Sequence, residues 1–222
     1  TKRSTVGTPY TLQPLPTARR PWELFSVDFI TNLPLINGYN SIATFVNTFS
    51  KQAHFVPVPC STTITTRDLA KLYIDNIYRL HGLSNIMIGD RDKLYTSQFF
   101  KSLFDQLGTT LNLSTAAHPQ TDGQSEITNK TIEQILRSFC YANQAQWLYH
   151  LPLAEFSYNN TESSTTGFSP FYSCYGFHPK TPINLSLLTP PIDVLENIQT
   201  VHSLIHENIK IAKVFQKHYH DK

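Results

Sequence analysis

The stretch Leu24-Phe25-Ser26-Val27-Asp28-Phe29-Ile30 decides the fold prediction, because it is an apolar run interrupted by a single acid. Such a run predicts a central strand of a sheet, buried on both faces. A carboxylate in that position is costly to bury unless another group pairs with it. The placement of Asp28 therefore favours a functional acid over a carboxylate on the exposed face of an edge strand.

Two further acids stand at comparable positions. Asp90 directly follows an apolar run, and Glu126 lies thirty-six positions later, just inside a predicted helix. Asp92 and Asp122 are nearby alternatives, but the end of a strand favours Asp90, and a turn or cap explains an acid in a loop. Three converging carboxylates repel one another unless a divalent cation lies between them. The sequence thus predicts catalytic and metal-binding roles for Asp28, Asp90 and Glu126.

Composition limits the classes of protein to consider. The chain has 222 residues, of which 40% are hydrophobic and 12% aromatic, as expected for a globular domain. It has no apolar run of membrane-spanning length and no signal-peptide core, so we expect neither a membrane nor a secretory protein. Cys60, Cys140 and Cys174 are widely spaced, which predicts buried free thiols and no structural zinc site. The net charge of +2 does not by itself indicate a nucleic-acid binder.

The order of predicted elements indicates an α/β fold. Three strands separated by turn signals predict an antiparallel meander, and the short apolar strand after the first helix is typical of a parallel position. We therefore predict a five-stranded mixed sheet flanked by helices. The predicted strands cover residues 24–30, 41–49, 53–57, 84–88 and 109–114, and the helices between them cover 66–80 and 96–107.

The second half of the chain is predicted to be helical. A loop at 117–124 leads into a helix through a capping box formed by Thr121 and Gln124. The helix that follows this loop is predicted to end near 141. Further helices are predicted at 146–158, 170–175 and 192–219, and the aromatic residues of 167–176 are predicted to pack beneath the last of them. We predict a linker at 1–20, a core at 21–180, a proline-rich linker at 181–191 and a helical extension at 192–222.

The helix that carries Glu126 has one polar and one apolar face. At about 100° per residue, Asn129, Lys130, Glu133 and Arg137 lie near Glu126, and the apolar residues lie opposite. A solvated face of an ordinary amphipathic helix and a functional face explain this pattern equally well.

Several stretches resemble the catalytic domain of integrases from gypsy-like long-terminal-repeat retrotransposons, which are related to retroviral integrases. They are residues 22–30 (WELFSVDFI), 50–57 (SKQAHFVP), 81–92 (HGLSNIMIGDRD), 117–126 (AHPQTDGQSE) and 158–179 (YNNTESSTTGFSPFYSCYGFHP). The resemblance implies a ribonuclease-H-like fold with extra C-terminal helices. It also implies the family's triad of two aspartates and a glutamate, which Asp28, Asp90 and Glu126 match. Departures from the family pattern are Gly89, Ile127 and Ser163, where the family commonly has Ser, Arg and His.

The resemblance implies a DNA strand-transfer reaction. Two Mg²⁺ ions, with Mn²⁺ as a substitute, would support 3′-end processing of the element's cDNA and its transfer into target DNA. A loop at 118–123 would close over the DNA end, with Gly123 as its hinge. Gln120, Asn129, Lys130 and Arg137 would contact DNA.

Family membership also implies partners and a location. They are the cDNA ends, target DNA, a second copy in a homodimer or higher multimer, and a host chromatin or transcription-factor tether, in the nucleus after a cytoplasmic virus-like-particle stage. We expect an excised core without the family's N-terminal zinc-binding and C-terminal DNA- or chromatin-binding modules.

Other classes fit less well. Cellular ribonuclease H needs an earlier helical glutamate, and none occurs between Glu23 and Glu126. A cut-and-paste transposase has the same acid triad, so only the family motifs exclude it. A domesticated, catalytically silent DNA- or protein-binding descendant is the alternative, and the intact triad argues against it.

Overall fold

The computed structural model describes residues 17–59, 64–89, 101, 104–105, 107–113, 119–181 and 194–220. Its centre is a five-stranded sheet in the order β3-β2-β1-β4-β5. The strands are β1 Leu24–Ile30, β2 Ser41–Asn47, β3 Ala53–Val58, β4 Ile86–Gly89 and β5 Thr110–Leu113. The first three strands are antiparallel neighbours, and β4 and β5 are parallel to β1. The predicted mixed sheet, with β1 at its centre, is confirmed.

Helices flank this sheet and continue beyond it. They are α1 Thr66–Tyr73, α2 Pro119–Phe139, α3 Trp147–Asn160, α4 Pro170–Tyr175 and α5 Val194–His220. A short 3₁₀ helix, Gln144–Gln146, precedes α3. Most of the helix predicted at 96–107 lies outside the described residues, but Lys101, Phe104 and Asp105 are helical.

Helix α1 begins at a capping box, and a π-helical turn follows it. Thr65 accepts a hydrogen bond from the Asp68 backbone, and the Asp68 side chain accepts one from the Thr65 backbone. A π-helical turn, Ile74–Tyr78, then leads into Arg79–His81. Gly82 follows with φ of +78°, which glycine adopts at little cost. The predicted helix is confirmed, whereas its π turn was not predicted because apolar spacings of three and four also fit a regular helix.

The two faces of β1 bury different sets of residues. Phe25 and Val27 pack with Tyr73 of α1 in one cluster. Ile30 packs with residues of α2 and α3, among them Ile132 and Leu151, in a second cluster on the other face. Because side chains alternate along a strand, Asp28 shares the face of Ile30. The acid is therefore placed between the sheet and the helices α2 and α3.

Helix α5 covers a third cluster. Its Val201, Ile205 and Ile209 are buried against Leu24, Phe49 and Ile88. Phe168 and Tyr172 pack against the same cluster, which confirms that the aromatic segment lies beneath the last helix. The division of the chain into segments 1–20, 21–180, 181–191 and 192–222 stays a prediction.

Side chains of α3 bind backbone groups at the outer edge of β3. Asn159 accepts a hydrogen bond from the Ala53 backbone N–H at 2.9 Å and donates one to the Ala53 carbonyl at 2.8 Å. One turn earlier, Glu155 accepts a bond from the Phe55 N–H at 2.8 Å. An unpaired strand edge invites association with other chains, and these contacts satisfy part of it. Asn159 of the Tyr-Asn-Asn element thus has a structural role.

The start of α2 corrects the sequence prediction. Residues 119–124 are helical, so the loop predicted at 117–124 is wrong over that range, and residues 117–118 lie outside the described part. The helix begins at Pro119, because proline has no N–H to lose in the first turn and its φ suits a helix. Thr121 is therefore not an N-cap, and Gly123 is inside a helix and not the hinge of a loop.

Two smaller predictions concern thiols and membranes. Cys140 is buried and free, Cys174 is free but only partly buried, and Cys60 lies outside the described residues. Burial raises the pKa of the Cys174 thiol to about 12, which keeps it protonated near neutral pH. Within the described ranges, every helix is too short or too polar to cross a bilayer.

Candidate active site

Asp28 lies in the second half of β1, and two amide groups donate hydrogen bonds to its carboxylate. The side chain is partly buried. Its Oδ1 accepts a hydrogen bond from the Phe29 backbone N–H at 2.8 Å, and its Oδ2 accepts one from the Asn129 Nδ2 at 2.7 Å. These two donors are amides, which orient a carboxylate without carrying a charge of their own.

Asn129 connects three elements at this point. Thr44 of β2 lies opposite Asp28 in the antiparallel register. Its hydroxyl lies 3.1 Å from the Asp28 carbonyl and 3.2 Å from the Asn129 Oδ1, and can donate to either oxygen. The amide of Asn129 therefore lies between a carboxylate of β1 and a hydroxyl of β2. These bonds fix α2 over the centre of the sheet.

The other predicted acids are described less completely. Glu126 lies in α2, three positions before Asn129, which confirms its predicted place in a helix, and its side chain lies outside the described part. Asp90 and Asp92 lie outside the described residues altogether. Asp122 and Gln120 are in the first turns of α2, with side chains outside that part. Among the described residues, no three acidic, histidine or cysteine side chains converge as metal ligands.

The predicted DNA contacts differ in their surroundings. Lys130 is exposed. The Arg137 side chain is 80% exposed and forms an ion pair with Glu133 at 3.2 Å, one turn earlier. Asn129, in contrast, is engaged by Asp28 and Thr44. A DNA-contacting role for these residues stays a prediction, and Asn129 has a second role that the sequence did not indicate.

A hydrogen-bonded cluster of two histidines and a glutamate was not predicted from the sequence. Glu155 lies 3.0 Å from the His54 Nδ1, and the His54 Nε2 lies 2.8 Å from the His81 Nε2. Since a carboxylate accepts, His54 donates to Glu155 through Nδ1, and the tautomers of the two rings set which one donates in the bond between His54 and His81. Trp22 stacks on His81 with ring centroids 4.2 Å apart.

The environment of His81 disfavours its charged form. Burial, with a smaller contribution from His54, lowers the pKa of His81 to about 4. Both imidazoles come from elements distant in sequence, β3 and the end of the first helix, so spacing carried no signal of their contact. The cluster joins these elements to α3.

Comparisons with known proteins agree with this geometry. No family model matches the chain. The chain is 36% identical over 211 residues, 92% of its length, to the Tf2-3 and Tf2-4 transposon polyproteins of Schizosaccharomyces pombe. It spans 16% of the length of these curated relatives.

Solved structures share the fold. The HTLV-2 integrase catalytic core domain in complex with magnesium has a TM-score of 0.53 at 17% identity, over 68% of this chain and 95% of that one. The catalytic core of BIV integrase has a TM-score of 0.52 at 20% identity, over 68% and 91%. A chain of a simian T-cell lymphotropic virus intasome in complex with the PP2A regulatory subunit B56 gamma has a TM-score of 0.60 at 17% identity, over 79% and 58%.

These findings confirm the predicted relationship and the predicted fold. The chain is a homologue of the Tf2 retrotransposon polyproteins and has the ribonuclease-H-like fold of retroviral integrase catalytic cores.

Proposed function

We propose that this chain is the catalytic core of a retrotransposon integrase. It is a metal-dependent polynucleotidyl transferase that processes the 3′ ends of the element's cDNA and transfers them into target DNA by in-line displacement at phosphorus. The observation that carries the proposal is the 2.7 Å bond from Asn129 to Asp28. Since Glu126 lies one helical turn before Asn129, this bond supports a site that combines the first and third predicted acids.

The register of the sheet supports the inclusion of Asp90. Leu24, Phe25 and Ser26 of β1 pair in parallel with Ile86, Met87 and Ile88 of β4. The described pairing ends at Ser26 and Ile88, and Asp28 and Asp90 each follow two positions later in the sequence. Active sites of open sheets lie at the carboxyl ends of parallel strands, which is where Asp90 follows β4.

The donor types suit the metal that the family implies. Mg²⁺ prefers oxygen ligands and uses few protein carboxylates alongside phosphate and water. The partly buried carboxylate of Asp28, oriented by neutral amides, has the chemistry of such a ligand. Asp28, Asp90 and Glu126 would hold two Mg²⁺ ions, which, when bound, activate the attacking oxygen and stabilise the leaving one.

Residues of this chain have roles that do not depend on the metal. The Asn129 amide and the Phe29 N–H hold the Asp28 carboxylate in one orientation, which limits the reorganisation needed when substrate binds. Exposed Lys130 and Arg137, farther along α2, contact the phosphates of the DNA backbone and position it without reading its sequence.

Assembly and location follow from the same proposal. The core works on cDNA ends and target DNA as a homodimer or higher multimer, with a chromatin or transcription-factor tether, in the nucleus after a cytoplasmic particle stage. The HTLV-2 core, a protein with this fold, has been solved in dimeric and trimeric forms.

A strand-transfer or disintegration assay on model DNA ends tests the function. Wild type and Glu126→Gln are compared with and without Mg²⁺, and we expect Glu126→Gln to lose at least about a thousandfold in rate. Glu207→Gln is the matched control, because it makes the same change at an exposed position of α5. Equal activity of wild type and Glu126→Gln would contradict the proposal. DNA binding without metal-dependent activity in the wild type would favour the silent descendant.

A further inference from the structure

Thr44 interrupts an apolar row on the face of β2 that lies beneath α2. Side chains alternate along a strand, so Thr44 shares this face with Ile42 and Val46, which pack in the cluster formed with α2 and α3. Thr44 is itself only 1% exposed. A valine would have nearly the same shape and would continue the row, whereas a buried hydroxyl costs free energy unless it is hydrogen-bonded. The threonine therefore indicates a polar role at this place in the core.

The Thr44 hydroxyl has one proton and two oxygens within reach. Its Oγ1 lies 3.1 Å from the Asp28 carbonyl oxygen and 3.2 Å from the Oδ1 of Asn129. Both oxygens belong to neutral groups that only accept, so a rotation of the hydroxyl satisfies either of them. Thr44 thus supplies a donor that faces the amide oxygen of Asn129.

The two partners of Asn129 together set which way its amide faces. The Nδ2 donates to the Oδ2 of Asp28 at 2.7 Å, while the Oδ1 faces the Thr44 hydroxyl. If the amide were turned over, its oxygen would face a carboxylate oxygen, which has no proton to donate. The carboxylate therefore selects the nitrogen end of the amide, and the hydroxyl holds the oxygen end. Loss of the hydroxyl would free the amide to turn away from Asp28.

Thr44 also contacts the residue whose carboxylate it helps to orient. Asp28 and Thr44 are partners in the antiparallel register of β1 and β2. The hydroxyl thus restrains Asp28 directly at its backbone carbonyl and indirectly through the Asn129 amide. Glu126 lies one helical turn before Asn129 in α2. One side chain of β2 therefore joins the two elements that carry the first and third predicted acids.

We propose that Thr44 is a positioning residue of the active site, which holds the Asn129 amide in the orientation that donates to Asp28. The effect of Thr44 on catalysis rests on the proposed function. The positioning itself is a property of the folded chain and needs neither metal nor DNA. It can therefore be measured separately from strand transfer.

Hydrogen exchange of the Asn129 side-chain amide, followed by NMR in the whole chain without metal or DNA, is the direct test. We expect Thr44→Val to speed this exchange about five- to tenfold, which corresponds to the loss of one hydrogen bond. Thr44→Ser keeps the hydroxyl and should stay within about twofold of wild type.

Thr48→Val is the matched control for the exchange experiment. The Thr48 hydroxyl also lies 3.1 Å from a backbone carbonyl of β1, that of Leu24, but its bond does not involve Asn129. Thr48→Val therefore removes a similar contact between β2 and β1, and the exchange of the Asn129 amide should not change. Faster exchange in Thr44→Val alone would separate the positioning of the amide from a general loosening of the sheet.

Strand-transfer kinetics give a second test through a double-mutant cycle. Thr44→Val should lower kcat about tenfold with the KM for DNA ends within about twofold of wild type, as for groups that orient a metal ligand. Because Thr44 acts through Asn129, the same change in an Asn129→Ala background should cost less than about twofold. An inactive wild type would contradict the proposed function, whereas the exchange experiment would still decide the role of Thr44.

A second variant decides the question if Thr44→Val does not fold. Thr44→Ala removes the same hydroxyl without placing a methyl group against the two oxygens, and thermal unfolding shows which variants are native. The proposal is overturned if the Asn129 amide of a folded Thr44→Val or Thr44→Ala variant exchanges as slowly as in wild type. It is also overturned if the rate losses of Thr44→Val and Asn129→Ala multiply in the double variant.

Discussion

Asn129 and Asn159 each reach from a helix to the sheet, but they contact different kinds of partner. Asn129 donates to the carboxylate of Asp28 and is partly buried. Asn159 bonds both the N–H and the carbonyl of Ala53 and is 1% exposed. The first contact orients a charged side chain, and the second replaces a missing strand. We infer that the same residue type serves activity near β1 and stability at the edge of β3.

The largest effect on stability is expected from Asn159→Ala. It would leave the buried N–H and carbonyl of Ala53 without partners, so the free energy of unfolding should fall by about 2–4 kcal/mol. Chemical denaturation measures this loss. Asn160→Ala, the next residue of the same element, is the control and should stay within about 0.5 kcal/mol of wild type. If Asn159→Ala and Asn160→Ala lower the free energy of unfolding equally, the hydrogen bonds between Asn159 and Ala53 do not provide the predicted stability.

Asn129→Ala should affect activity more than stability. Without the amide, Asp28 loses a donor that orients it, and we expect strand transfer to slow about 10- to 100-fold, as for other groups that orient metal ligands. The assay on model DNA ends measures this rate, and Asn160→Ala again serves as the control. If Asn129→Ala is less stable than wild type but transfers strands at the wild-type rate, Asn129 serves stability and not activity.

A smaller effect concerns the imidazoles beside the β3 edge. The pKa of His81 is lowered to about 4 in the folded chain, from an ordinary value of 6.5, so the unfolded state binds more protons between these values. The stabilisation is complete above pH 6.5 and is lost as the pH falls towards 4. We expect a loss of about 1 kcal/mol after allowance for the exposed part of the ring.

Denaturation curves at several pH values measure this contribution. His81→Gln keeps a hydrogen-bonding side chain but does not titrate, so its stability should change less than that of wild type between pH 6.5 and 4. Identical pH dependence of the two proteins would show that His81 does not link stability to pH.

Local pattern was enough to predict most elements of the fold. The apolar run around Asp28 predicted β1 with the observed bounds Leu24–Ile30, and Ser169 followed by Pro170 predicted the start of α4. Residues 119–124 were predicted as a loop because their composition is typical of turns, whereas the helix begins at Pro119. The same composition is compatible with a helix whose first turn begins at a proline.

The site could be predicted only in part. The sequence suggested Asp28 and placed Glu126 in a helix, but it assigned Asn129 to DNA and not to Asp28. That contact joins residues 101 positions apart, and hydrophobic periodicity reports which face of an element is apolar, not which polar partners meet across the fold. The contact of His54 with His81 was missed for the same reason.

Paramagnetic broadening by Mn²⁺ tests the central claim, a metal site at the three acids, most directly. Amide signals of an isotope-labelled chain are recorded by NMR as Mn²⁺ is added to wild type and to Glu126→Gln. We predict that broadening centres on Phe29, Thr44 and Asn129 and is much weaker in the variant. Broadening centred on His54 and His81, or equal broadening in both proteins, would contradict a metal site built on Asp28 and Glu126.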